Sequence, residues 1–322
     1  MTDRSGHSDD RPGAGPTQSD TPVLGHGRDL AGLRGVLRSR VTARGGPPVI
    51  VPGVTDALGA RLAEQAGAEA VYLTGAGLAN AVFGIPDLGM TTQTEVADAL
   101  GRLTMAADVP VIADADTGYG DELSVIRTVR LFERAGASAI QFEDQISPKR
   151  CGHFPSGHDV IPLEEMTIKI RAALDARVDE SLLIIARTDA RKATGSIESA
   201  IERGLGFAEA GADAVFIEAP GDVGELKRVG EALNGVPLLV NVVEGGATPH
   251  LSAADYSALG FRIVLHANFL LRAVMKSGHD ALEHLLAHGD SRTYLDRIVS
   301  WEDRQALFAT EAYDTWGAIH YC

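Results

Sequence analysis

Ala66-Gly67-Ala68-Glu69-Ala70-Val71 returns as Ala135-Gly136-Ala137-Ser138-Ala139-Ile140 and as Ala210-Gly211-Ala212-Asp213-Ala214-Val215, with a weaker fourth copy at Ala258-Leu259-Gly260-Phe261-Arg262-Ile263. Each copy reads as the end of a helix, a glycine in the left-handed cap that other residues adopt only at a cost, and the start of a buried strand. Between the copies lie apolar runs at Pro48 to Val51, Val109 to Ala113, Leu182 to Ala186 and Leu238 to Val242, and helix-period segments separate all of them. The total is eight strands alternating with helices, the copies preceding strands two, four, six and eight. That order predicts one closed (β/α)8 TIM-type barrel of the α/β class over residues 47–278, not an open sheet with a second domain.

The flanks read differently. Residues 1–28 hold Ser, Asp, Gly, Pro and Arg with almost no periodic apolar residues, so a disordered tail is expected. Within 29–46, Leu30, Leu33, Val36, Leu37 and Val41 recur at helical spacing and predict a short helix that caps one end of the barrel. Residues 279–322 add helices beyond the eighth strand, where Trp301, Phe308, Tyr313 and Trp316 form a candidate docking surface.

Composition removes several function classes. The 322 residues carry 29 Lys+Arg against 44 Asp+Glu, a formal net charge of −15, with no block of cations to follow a phosphate backbone, so nucleic acid is not an expected partner. Apolar stretches such as Leu182 to Ala186 are strand-length and do not cross a bilayer. The N-terminus has no apolar signal region, and two cysteines, Cys151 and Cys322, make no disulfide framework; a cytoplasmic protein is expected.

The chemistry is expected where the strands end. The second closes with Tyr72-Leu73-Thr74-Gly75, the third with Asp114-Ala115-Asp116, the fourth with Glu143-Asp144, the fifth with Arg187-Thr188-Asp189, the sixth with Glu218, the seventh with Asn241 and the eighth with His266. In a barrel these ends converge on the C-terminal face, where active sites of this architecture lie. Asp114 and Asp116 share one side of a strand, and Glu143 and Asp87 are placed to join them. Oxygen-only ligands favour a hard cation, Mg2+ or Mn2+. In Pro148-Lys149-Arg150-Cys151-Gly152-His153 the cysteine follows two cations and precedes a histidine, a setting that stabilises a thiolate and makes Cys151 a candidate acid/base or nucleophile. A zinc site from Cys151, His153 and His158 is weaker, for want of a fourth ligand. The loop Ile146 to Ile161 carries Gly152 and Gly157 and reads as a lid.

These motifs resemble the isocitrate lyase and phosphoenolpyruvate mutase superfamily over about residues 47 to 275. The resemblance rests on Tyr72-Leu73-Thr74-Gly75-Ala76-Gly77, Pro86-Asp87-Leu88-Gly89, Asp114-Ala115-Asp116-Thr117-Gly118-Tyr119-Gly120, Glu143-Asp144-Gln145, Lys149-Arg150-Cys151-Gly152-His153, Ala186-Arg187-Thr188-Asp189-Ala190 and Asn241-Val242-Val243-Glu244-Gly245-Gly246. It implies Mg2+ at Asp87, Asp114, Asp116 and Glu143. It also implies a catalytic set of Cys151, Arg187, Glu143 and His153, and substrate contacts from Tyr72, Thr74, Gly75, Ala76, Lys149, Gly152, Glu218 and Asn241.

In that family the K-[KR]-C-G-H loop marks the carbon–carbon lyases. The implied reaction is retro-aldol cleavage of a 2-methylisocitrate-like 2-hydroxy di- or tricarboxylate to a 2-oxo acid such as pyruvate and a second carboxylate such as succinate. The base comes from Glu143, Glu218 or Tyr72, and Cys151 protonates the carbanion. The family also implies a tetramer, a dimer of dimers, whose last barrel helix is exchanged between subunits. Thr74-Gly75-Ala76 stands where many members have Ser-Gly-Gly, and His158 where a lysine often follows the lid glycine. The alternatives are a carboxyphosphonoenolpyruvate mutase-type enzyme of phosphonate synthesis, an oxaloacetate hydrolase or decarboxylase, and a non-catalytic barrel.

Overall fold

The computed structural model describes residues 27–43, 45–150 and 159–321. The expected tail, apart from Gly27 and Arg28, lies outside them; Arg28 donates to the carbonyls of Thr104 and Ala107.

The chain runs α1 (Leu30–Thr42), β1 (Val49–Val54), α2 (Ala57–Gln65), β2 (Val71–Leu73), α3 (Gly75–Phe83), α4 (Gln93–Ala106), β3 (Val111–Asp114), α5 (Glu122–Arg134), β4 (Ala139–Glu143), α6 (Leu163–Ala176), β5 (Leu183–Thr188) and α7 (Ala190–Thr194). It continues through α8 (Ile197–Glu209), β6 (Ala214–Ile217), α9 (Val223–Ala232), β7 (Leu238–Asn241), α10 (Ala253–Ala258), β8 (Phe261–His266), α11 (Phe269–His288), α12 (Trp301–Leu307) and α13 (Thr310–Tyr321). The eight strands pair in sequence order, all parallel, and β8 returns to β1 with Val49 opposite Ile263, closing the barrel that the repeat predicts.

The repeat works as read. Ala66, Ala135 and Ala210 end their helices, and the glycines that follow have φ of 84° at Gly67, 98° at Gly136 and 101° at Gly211. At the other end of the βα units, short polar side chains cap helix starts: Asp56 accepts from Gly59 N–H at 2.7 Å, Asp121 from Ser124 at 3.0 Å and Asp222 from Glu225 at 2.8 Å. A strand can therefore turn into a helix within a few residues, which fixes the rim on which functional groups sit.

Two apolar shells hold the barrel. Val51, Ile112, Leu183, Ile185, Leu239 and Ile263 fill its interior, and Leu37 and Val41 of α1 join the same cluster, so α1 covers one end. Arg34 locks that cover by donating to the carbonyls of Ala137 at 2.8 Å and Glu133 at 2.7 Å. The second shell packs the outer strand faces against the helices, through Leu100, Phe132, Ile140, Ile184, Phe207 and Val215 among others.

One outer face is bare. No residue of α11 is buried, and Phe269, Val274, Met275, Leu282, Leu285 and Leu286 on it are exposed. Beside it runs an open apolar groove lined by Ile50, Pro52, Leu62, Ala63, Phe269 and Leu270. Among the described residues no helix is long and apolar enough to cross a membrane.

Candidate active site

Alternate residues of a strand face the same side, so each barrel strand carries an inward ladder. On β4 the ladder is Ala139, Gln141, Glu143; on β5 it is Leu183, Ile185, Arg187, followed by Asp189; on β6 it is Ala214, Phe216, followed by Glu218. Ile112 and Asp114 of β3, Tyr72 and Thr74 at the end of β2, and Leu239 and Asn241 of β7 continue the pattern. The lower rungs are apolar core and the upper rungs are the polar floor of a cavity. That cavity is open to solvent, and its lining includes Tyr72, Thr74, Ala76, Asp87, Asp114, Lys149, Arg187, Glu218 and Asn241.

Charge is unevenly divided in it. Asp87, Asp114, Asp116, Glu143, Asp189 and Glu218 are buried around two buried cations, Lys149 and Arg187. Arg187 forks onto Asp189 with two bonds of 2.9 Å, meets Glu218 Oε2 at 3.2 Å and Glu143 Oε2 at 3.3 Å, and lies 5.2 Å over the Phe216 ring. Lys149 Nζ stands between Asp87 at 2.8 Å and Asp116 at 3.0 Å. Burial works against both cations, but the carboxylates outweigh it and raise both pKa values well above their ordinary ones.

Burial also pushes Glu143 well above the usual carboxylate range, with Arg187 and Lys149 pulling the other way. The Asp116 carboxyl is pushed up to about 6 by burial, against the opposing pull of Lys149. Neither Glu143 oxygen accepts an aligned hydrogen bond, and Glu218 Oε1 and Asn241 Oδ1 are likewise buried without a donor. Buried acceptors of this kind ordinarily find a partner. Surplus negative charge and unsatisfied oxygen acceptors are what a hard divalent cation satisfies, so the residues fit one. The four expected metal carboxylates do not close into a tight cage. Among the described residues, the set whose ligand atoms lie within 4.8 Å of one another is His279, Asp280 and Glu283 on the surface of α11. A cation in the cavity would therefore keep water ligands.

The N-terminus of α3 closes one side. Thr74 caps it, accepting from Gly77 N–H at 3.2 Å, and Gly75 N–H donates to Asp114 Oδ2 at 3.2 Å. A Cβ on Gly75 would stand 3.1 Å from Asp114 Oδ2, and one on Gly77 would stand 2.6 Å from the Thr74 methyl. Both glycines are thus set by close approach, while Ala76 turns to the cavity. Three non-glycine residues beyond the strand ends take left-handed backbone, Asp116 at φ 46°, Tyr119 at φ 63° and Ala219 at φ 55°; such positions cost on the order of 1 kcal/mol or more and tend to gather at functional sites.

The structure gathers Tyr72, Thr74, Gly75, Ala76, Asp87, Asp114, Asp116, Glu143, Lys149, Arg187, Glu218 and Asn241 on this rim. Cys151, Gly152, His153 and His158 lie outside the described residues, as does half of the expected lid. His266 and Glu244 instead face each other at 3.5 Å beside the outer groove. Sequence reasoning passed over Gln141, which accepts from the Tyr72 hydroxyl at 2.6 Å and donates to Asp114 Oδ1 at 3.4 Å. It also passed over Asp189 as the group that orients Arg187. Their signal is the inward spacing of two, from Gln141 to Glu143 and from Arg187 to Asp189.

Residues 39–286 match the family model for phosphoenolpyruvate phosphomutase. The chain belongs to this family. A 2,3-dimethylmalate lyase of Eubacterium barkeri is 42% identical over 263 residues, 82% of this chain and 90% of that protein. A 2-methylisocitrate lyase of Vibrio cholerae is 38% identical over 267 residues, 81% of this chain and 85% of the other. A chloroplastic carboxyvinyl-carboxyphosphonate phosphorylmutase of Arabidopsis thaliana is 38% identical over 268 residues, 82% and 78% of the two chains. Among solved structures, a 2,3-dimethylmalate lyase described as a PEP mutase/isocitrate lyase superfamily member aligns with TM-score 0.83 at 34% identity, covering 91% of this chain and 95% of that one. A phosphonopyruvate hydrolase complexed with oxalate and Mg2+ aligns with TM-score 0.80 at 29% identity, covering 89% and 98%. The family therefore holds both lyases and mutases, and this chain is an enzyme of that superfamily.

Proposed function

We propose that the protein is a Mg2+-dependent carbon–carbon lyase that cleaves a 2-hydroxy di- or tricarboxylate to a 2-oxo acid and a second carboxylate. The observation that carries this reading is the cavity of buried carboxylates, two cations and orphaned acceptors, from which the chain leaves along Lys149-Arg150 into Cys151. The named relatives support it by their activities, and the neighbour complexed with oxalate and Mg2+ supports the choice of metal.

Asp114, Asp116 and Glu143, with Asp87 alongside, would hold the ion, directly or through water. When bound, Mg2+ supplies positive charge next to the oxygens of the 2-oxo acid that forms. The remaining work falls to the chain. Arg187 and the Ala76 N–H in the first turn of α3 bind and orient carboxylate oxygens. A carboxylate takes the proton of the substrate hydroxyl, and that oxygen forms the new carbonyl. The C–C bond breaks, its electron pair moves to the carbon bearing the second carboxylate, and the Cys151 thiol protonates that carbon. No oxidant or water is consumed. Glu218, whose Oε1 accepts nothing, suits the base, and Glu143 suits it only with an oxygen that the ion leaves free. Tyr72 suits it less, since its hydroxyl already donates to Gln141 and burial pushes its phenol far above its ordinary range.

The same proposal includes a homo-oligomer in which the apolar groove along β1 is covered by α11 of a second copy, the exchange implied by the family resemblance. The chemistry is tested by assaying 2-methylisocitrate, isocitrate, 2,3-dimethylmalate and oxaloacetate side by side with Mg2+ and with EDTA. The reading predicts metal-dependent release of a 2-oxo acid from a 2-hydroxy carboxylate. Rearrangement of a phosphonate precursor, followed by phosphorus NMR, with no C–C cleavage would replace it with the mutase reading.

A further inference from the structure

The buried stripe of α8 is Ile197, Ala200, Arg203, Gly204 and Phe207, so a charged residue occupies a position that helical spacing assigns to the core. Buried arginines need partners. Arg203 donates through Nε to Asp144 Oδ2 at 2.6 Å and through Nη2 to the Ile161 carbonyl at 2.8 Å. Asp144 directly follows Glu143 on the opposite face of the strand line, and it is fully buried. Its other oxygen accepts from the Asp189 N–H at 3.0 Å, and Asp189 is the residue whose carboxylate forks Arg187.

Two further contacts tie the same point to Lys149. Ile161 N–H donates to the Asp144 carbonyl at 2.8 Å, and Gln145 bridges Val160 in antiparallel fashion, so both feet of the loop between β4 and α6 meet at Asp144. The Gln145 side chain then clamps Arg150 from both sides, accepting from its N–H and donating to its carbonyl, each at 2.9 Å. Lys149, one residue earlier, carries the ion pairs to Asp87 and Asp116.

We infer that Arg203, on the outside of the barrel, is a positioning residue that fixes the aim of the two cavity cations, Arg187 through Asp144 and Asp189, and Lys149 through the loop feet and Gln145. Arg203 touches no substrate; it acts through contacts that are buried from Asp144 to Asp189 and part-buried at Gln145 and Arg150. The inference rests on the cavity being the active site.

Arg203→Lys keeps a cation for Asp144 but offers one ammonium where two arms reached two acceptors, and Arg203→Gln removes the charge as well. In the full-length Mg2+ enzyme, Arg203→Lys is expected to lower kcat at least about tenfold, yet to cost under about twofold when added to Arg187→Lys, because residues acting as one unit are non-additive. Hydrogen exchange at the amides of 187–190 is expected to quicken in either variant, while 214–217 and 238–241 keep their protection. Equal losses in both backgrounds, or exchange that rises equally at all strand ends, would reduce Arg203 to a general stabiliser and overturn the inference. If Arg203→Gln fails to fold, Arg203→Lys carries both measurements. If the wild type cleaves none of the four carboxylates, the functional reading fails, and the exchange result still decides whether Arg203 positions Arg187.

Discussion

Asp114 holds together three parts of the site. One oxygen takes Gly75 N–H from α3, the other takes Asp116 N–H at 3.2 Å and the Gln141 amide at 3.4 Å, and the charge faces the cavity. Asp114→Asn keeps the shape and removes the charge. It is expected to weaken Mg2+ binding by about tenfold or more, a little over 1 kcal/mol, with a thermal midpoint close to wild type; calorimetric titration of Mg2+ checks this. Asp114, Glu143 and Arg187 were legible as sequence because each ends an apolar run, so polarity at that point has to face a rim. Gln141 was not, since a glutamine inside a strand reads as an ordinary polar residue until Tyr72 and Asp114 are seen on either side of it. Lys149 was legible as a cation beside Cys151, but its placement between Asp87 and Asp116 depends on the loop feet, which no local pattern records.

At the scale of elements, the repeat glycines separate two costs that sequence treats alike. Gly67 and Gly136 both have positive φ, but a Cβ on Gly67 meets nothing within 4 Å, whereas one on Gly136 would lie 2.9 Å from Thr104 Cβ. Gly67→Ala is expected to cost about 1–2 kcal/mol from backbone conformation alone. Gly136→Ala adds overpacking, about 1–3 kcal/mol more. Chemical denaturation of the two variants in parallel checks the order, and equal losses would contradict it. The eight strands and the capping helix α1 were readable because a buried strand between a capped helix end and a polar N-cap leaves few other arrangements. Arg203 was not readable as an anchor, because an arginine among helix residues is usually solvated; its place on the buried stripe shows only once the core side of α8 is known.

For the whole molecule, the proposed assembly rests on the unburied α11 and the groove along β1. Ile50 on that strand is 41% exposed and Leu286 on α11 is 82% exposed, apolar surface of the kind that marks interaction sites. Light scattering is expected to show a homo-oligomer at micromolar concentration, and a Leu282→Glu, Leu286→Glu double variant a smaller species; a monomeric wild type would contradict the arrangement. Covering this face is separate from the proposed chemistry of carboxylates, two aimed cations and one thiol. Cys151 tests that assignment most directly. With Mg2+ and the substrate that the wild type cleaves, Cys151→Ser is expected to fold and bind metal but to lose about 100-fold or more in turnover, since an alcohol is a far weaker acid than a thiol. A Cys151→Ser enzyme that releases the 2-oxo acid at the wild-type rate would contradict the account.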